Sequence, residues 1–180
     1  MEGAGLVIDA LGRVRDMVRG ALEDLSPEEL LTAPKPPIAW LVWHLSRVQD
    51  ANFSNLMDRP QLWIANGWHL RFAMPPDPRD YGSGHRHTPA QVDAFVVNDK
   101  QLLLGYLDAV FEQTKAYLST VTNADLSRVL DEPQYQPKPT LSIRLASVIN
   151  CNTRHLGQIE YLRGLIKHQG WFPASARQET

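Results

Sequence analysis

His44, Cys151 and His155 are the residues of this chain whose types and spacing could do chemistry together. Cys151 and His155 are four apart, so on a helix their side chains stand one turn apart and reach the same point. Imidazole nitrogen and thiolate sulfur are both ligands for divalent metals. Two donors on adjacent turns with a third from a facing helix make a recurrent metal site in bundles. His44, in the run Trp40-Leu41-Val42-Trp43-His44-Leu45, is the natural third donor. Three protein donors leave coordination positions open, as a catalytic metal requires. The spacing alone also admits a plainer reading, in which core histidines are satisfied by hydrogen bonds and the cysteine is a small apolar residue.

The elements that must position these residues follow from periodicity and stop signals. Leu6, Ile8, Leu11, Val14, Val18, Leu22 and Leu25 recur at three- and four-residue intervals, the stripe of an amphipathic helix that ends near Asp24. Ser26-Pro27-Glu28-Glu29 predicts the start of a short helix, and Pro34, Pro36 and Pro37 break the chain after it. A second long helix is predicted from about Ile38 to Met57, with Leu41, Leu45, Val48, Asn52 and Leu56 on its inner line, and Pro60 stops it. Thr88-Pro89 with Gln91 has the form of a capping box, and it opens a third helix whose stripe runs from Val92 to Val121, interrupted by Asp99. A fourth helix is predicted from about Leu141 to Lys167, meeting Gly170 at its end, with Leu141, Leu145, Val148, Asn152, His155, Ile159, Leu162 and Ile166 facing inward. Four long helices without alternating strand runs predict an all-α bundle forming one domain over residues 1–180, with short extra helices and a long loop over 59–89. That loop holds Trp63, Trp68, Phe72 and Tyr81 among prolines and glycines, and long loops rich in aromatics are often functional.

The two histidine segments carry a resemblance. Trp40-Leu41-Val42-Trp43-His44-Leu45, His155-Leu156-Gly157-Gln158-Ile159 and Leu162-Arg163-Gly164 resemble the DinB-like superfamily of four-helix metalloproteins, which includes bacillithiol- and mycothiol-dependent transferases and the mycothiol-dependent maleylpyruvate isomerase. The resemblance spans nearly the whole chain. It implies a metal triad of one histidine from the second helix and an H-x-x-x-H pair from the fourth, matched by His44 and His155 and departed from at Cys151, where the pattern has histidine. A thiolate suits zinc and softer metals, so the exchange either preserves the site with a shifted metal preference or marks a degenerate one. The resemblance implies a divalent metal cofactor, zinc first, with nickel or another transition metal as alternatives. It also implies a low-molecular-weight thiol cosubstrate, held by the metal as its nucleophilic thiolate.

Around this centre, Trp68 and Arg71 with Phe72 could line the mouth of a substrate pocket, the guanidinium gripping a carboxylate, or could simply cap the core. Gln158 could bind substrate or support a ligand, and Asn152 and Gln49 need polar company if buried. Tyr106 and Asp99 share a helix face and could supply a phenolic donor and an acid or base; a core-edge tyrosine and a solvent-facing carboxylate are the plainer alternative. His85 and His87 read first as an exposed loop pair, and Tyr135 as loop packing.

Composition limits the partners. With 18 basic against 20 acidic residues and no basic block, nucleic acid is not an expected partner. No stretch approaches the roughly 20 apolar residues of a membrane span, and no signal peptide is seen. The one cysteine cannot close an intrachain disulfide, which points to the reducing cytoplasm. A small-molecule substrate is expected, and a homodimer joined through exposed tryptophans is the expectation for assembly. Neither a G-x-S-x-G elbow nor a phosphate loop occurs. The functional classes that stand open are a metal-dependent thiol S-transferase or isomerase, a non-catalytic bundle binding a ligand or partner in a vestigial pocket, and a metal-dependent hydrolase.

Overall fold

The computed structural model of the chain describes residues 3–82 and 87–169. Four long helices, α1 (Gly3–Leu22), α2 (Ile38–Leu56), α6 (Lys100–Leu118) and α7 (Leu141–Lys167), form the predicted bundle. The short helices α3 (Leu62–Ala65), α4 (Trp68–Arg71) and α5 (Pro89–Asp93) lie between α2 and α6. Both α1 and α2 pack against α6 and α7, so α1 and α2 sit diagonally across the bundle. Among the described residues there is no β-sheet, only an isolated bridge between Val129 and Thr140.

Local chemistry sets most of the boundaries. In α1, Leu11, Val14, Val18 and Leu22 of the expected stripe are buried, but at its start Val7 faces inward while Leu6 is exposed and Ile8 half-buried. The Ser26 hydroxyl accepts from the Glu29 N–H while the Glu29 carboxylate accepts from the Ser26 N–H, at 3.3 and 2.7 Å. This reciprocal cap opens the expected short helix as a single 3-10 turn, Glu29–Leu31, before the prolines. Thr88 and Gln91 do form their capping box, but on the single-turn α5. The long third helix begins afresh at Lys100, because the Asp99 carboxylate accepts from the Gln101 and Leu102 N–H groups at 2.8 and 3.1 Å. Asp99 is therefore an N-cap that starts a helix rather than an acid or base on its face. On α7 the Thr140 hydroxyl caps the start, and His168 takes the left-handed conformation at the end. Gly170 lies outside the described residues.

α2 departs from the amphipathic pattern. Every residue from Ile38 to Arg47 is buried, because α6 and α7 cover one side and the described residues of 57–82 and 87–95 cover the other. Val48, Asn52 and Leu56 of the expected inner line are only half-buried. The covering segment is not a bare loop: it carries α3 and α4 and is fastened by a polar network in the core. Asp50 and Arg47, both fully buried, form an ion pair with 3.7 Å between charged atoms. Asp50 accepts from the backbone N–H of Leu62 at 3.0 Å and Trp63 at 2.9 Å, and from the Tyr106 hydroxyl at 2.7 Å. Arg47 donates to the carbonyls of Asp77 and Asp80 and to Gln61 Oε1, and its guanidinium lies 4.5 Å from the centre of the Trp63 ring.

Burying two charges is costly, and a pair of this kind holds only when further hydrogen bonds satisfy both partners. Here removal of one partner strands the other. Asp50→Ala is expected to lose about 3–5 kcal/mol of stability, read from the urea midpoint, and to expose Trp63 to fluorescence quenchers; a loss below about 1 kcal/mol would mean that the pair behaves as a surface one.

Candidate metal centre

The α2 segment puts His44 on the turn after Trp40, and the two rings stack with centroids 4.8 Å apart and planes at 12°. The His44 Nδ1–H donates to the Tyr81 carbonyl oxygen, delivered by the covering segment. On α7, His155 Nδ1 is 2.7 Å from Gln158 Oε1, one turn further along the same helix. Each hydrogen bond holds the proton on Nδ1 and leaves Nε2 as the lone-pair donor, the arrangement common to histidine metal ligands. The two imidazoles meet edge to face with centroids 4.5 Å apart. Cys151 stands one turn before His155, and one ligand atom from each of His44, Cys151 and His155 falls within 4.8 Å of the others. A triangle with sides no longer than 4.8 Å has a point within about 2.8 Å of all three corners. Bond lengths of about 2.0–2.3 Å are reached by a small contraction.

Burial tunes all three groups. It holds the His44 imidazolium well below its ordinary range, to about 4, with lesser repulsion from His155 and His87 in the same direction and the Tyr81 carbonyl opposing. His155 is lowered too, mainly by burial, with Gln158 opposing. Burial pushes the Cys151 thiol up, against the attraction of Arg154. At neutral pH both imidazoles are therefore neutral and free to ligate, while the thiol keeps its proton until a cation displaces it. The donors open onto a cavity of about 480 Å³ between α2 and α7, walled by Trp40, Leu41, Val48 and Val148 and also lined by Gln158.

A family model of the DinB superfamily matches residues 10–159. The chain belongs to the DinB superfamily. The crystal structure of a conserved protein from Enterococcus faecalis is similar throughout: 32% identity, a TM-score of 0.84, and 94% of this chain covered against 99% of that one. No curated protein matches.

Within this DinB bundle, not all the candidate residues meet. Gln158 lines the cavity, but Trp68, Arg71 and Tyr106 do not. Trp68 is buried against Tyr106, with ring centroids 5.3 Å apart, and Arg71 lies over the outside of the Trp68 ring. Tyr106 is fully buried with its hydroxyl given to Asp50, and that burial holds the phenol in its neutral, donating form. Trp68 and Tyr106 thus belong to the core, and Arg71 is exposed on α4. Asn152 and Gln49 satisfy one another, with Asn152 Nδ2 donating to Gln49 Oε1 at 2.7 Å and Gln49 passing its own N–H to Thr114.

His87 is a correction: its side chain is 6% exposed, stacked on Trp43, accepting from Trp40 Nε1 and bonded through Nε2 to Asp80 at 2.8 Å. His85 lies outside the described residues. The four described tryptophans are buried, so none supplies the exposed dimer surface expected of them. Sequence reasoning missed Tyr81, whose contribution is a main-chain oxygen, and Gly82. At φ +68°, Gly82 lies so close to Trp40 and Trp43 that a Cβ would fall 2.7 Å from each ring. Its signal was a glycine following an aromatic in the loop.

The depressed His44 pKa has a consequence for stability. Between about 4 and the ordinary 6.5 the unfolded chain binds a proton that the native chain does not. Stability is therefore complete above pH 6.5 and falls as pH drops toward 4, by up to about 3 kcal/mol. Urea unfolding of chelator-treated protein from pH 7.5 to 4.5 measures this, and His44→Gln is expected to flatten the profile; an unchanged profile would remove His44 as its source.

Proposed function

We propose that this DinB protein is a metal-dependent enzyme in which His44, Cys151 and His155 hold one divalent metal, and that its reaction is a thiol S-transfer or an isomerisation assisted by a low-molecular-weight thiol. The observation that carries the reading is the convergence of the three donor atoms within 4.8 Å at the wall of a cavity. The donor set fits the group. Two neutral imidazoles and a displaceable thiol proton suit zinc first and nickel as an alternative. The metal, when bound, would act as a Lewis acid that favours the anionic form of a thiol or water placed beside it.

The chain's own residues supply the rest. Tyr81 and Gln158 fix the two imidazole rings and their tautomers. Trp40, Leu41, Val48 and Val148 keep one side of the cavity apolar, which limits the water around a reacting thiolate. Cys151 gives up its proton on loading, so affinity rises with pH as long as the free thiol remains protonated.

A second reading has its own observation: burial favours the neutral thiol of Cys151, the state of a cysteine that serves as a small core residue in a non-catalytic, ligand-binding bundle. Cobalt loading separates the two. The enzyme reading predicts about one Co²⁺ per chain and a near-ultraviolet thiolate-to-cobalt absorption. Cys151→Ser should lose the absorption, Cys151→His should keep the metal without it, and His44→Ala should lose both. Metal-free wild type, with stability unchanged in His44→Ala and His155→Ala, would support the second reading.

For the reaction, conjugation of a panel of electrophiles with mycothiol or bacillithiol is expected to require added zinc and to fall at least 100-fold in His155→Ala, in line with the loss of a catalytic metal. No zinc-stimulated turnover with any of them would count against thiol transfer.

A further inference from the structure

Arg154 lines the same cavity, on the α7 turn that carries Cys151 and His155, and its charge reaches both of them. It was not singled out by the sequence, where it reads as one more exposed residue on a long helix. Its surroundings set it apart. Several basic side chains on the long helices are matched by acids: Arg13 by Asp9, Arg19 by Asp108, Arg163 by Asp24 and Lys167 by Glu29. Among the described residues the Arg154 side chain has no ion pair and no hydrogen bond. The described residues lining the cavity include no aspartate or glutamate, and Arg154 is the one arginine or lysine among them. Arg154 is exposed at the rim, beside the half-buried Cys151 and His155, and a cation there without a counterion among the described residues leaves the mouth of the cavity electropositive.

We infer that the cavity's ligand is a small organic oxyanion, a carboxylate or a phosphate on an apolar body, and that Arg154 is the residue that selects it. The guanidinium presents a planar fork that takes two oxygens at once, which a point-charge ammonium cannot. The apolar wall formed by Trp40, Leu41, Val48 and Val148 suits a hydrocarbon or aromatic body, and a cavity of about 480 Å³ has room for one of small size. Arg154 and the three donors share this one cavity, so such an anion would lie beside them. The inference rests on the reading of this cavity as the active site, but the affinity of Arg154 for an oxyanion does not require a metal.

The test uses chelator-treated protein and three probes that share a ring: benzoate, phenyl phosphate and benzyl alcohol. Ligand-observed NMR titration gives the dissociation constants. At least one anion is expected to bind about 10-fold or more tightly than the alcohol. Arg154→Gln should remove that preference while leaving benzyl alcohol unaffected, and Arg154→Lys should retain part of it. Equal affinity for the three probes, binding of none of them, or a preference that survives Arg154→Gln would overturn the inference. Zinc content, measured separately on wild type and Arg154→Gln, tests the metal centre alone: a wild type that prefers the anion but holds no zinc leaves Arg154's role standing and removes the metal.

Discussion

The buried ion pair of Arg47 and Asp50 is the constraint on which the site depends. Two charges one turn apart on α2 have no route to water, and each is satisfied by a different part of the covering segment. Asp50 takes the N–H groups that open α3, and Arg47 takes the carbonyls of Asp77 and Asp80. The next carbonyl along the chain, that of Tyr81, meets His44. Gly82 then lies against Trp40 and Trp43, where a larger residue would lift the strand of chain away. A pair that contributes little net stability in an apolar core can still decide which of several loop arrangements is adopted, and here that choice sets the tautomer of His44.

The two halves of the centre differ in stiffness for the same reason. His44 is 5% exposed and held by stacking above and a carbonyl beside it. Cys151 and His155 are half-buried on the wall of the cavity, and His155 is oriented by Gln158 of its own helix rather than by the core. Contraction onto a cation would therefore be taken up mainly by the α7 side chains. The cysteine fits this role: its short side chain sits one turn from His155, and its raised pKa keeps it uncharged while nothing is bound.

The bundle was legible because its signals are local. Proline breaks and 3.6-residue periodicity set the bounds of α2 and α7 to within a residue. The pair His44 and His155 was legible from inward placement together with family resemblance, and Cys151 from the turn it occupies. What could not be read depends on contacts distant in sequence. Arg47 and Asp50 look like the wet side of a helix, because nothing in the sequence tells that partners 12 to 33 residues onward will fold over them. The same covering turned His87 from a loop residue into a buried one and carried Trp68 and Tyr106 into the core. Asp99 was misplaced because a carboxylate inside an apolar stripe is ambiguous between a helix face and a helix start, and only the backbone N–H groups of Gln101 and Leu102 decide it.

The most direct measurement of the central claim is X-ray absorption at the zinc edge of protein loaded with one equivalent of zinc and passed through a desalting column. A site made of His44, Cys151 and His155 predicts a shell with one sulfur at about 2.3 Å and nitrogen or oxygen neighbours at about 2.0–2.1 Å, with the outer-shell scattering of two imidazoles. Zinc that does not survive the column, or a shell of oxygen and nitrogen without sulfur, would contradict it.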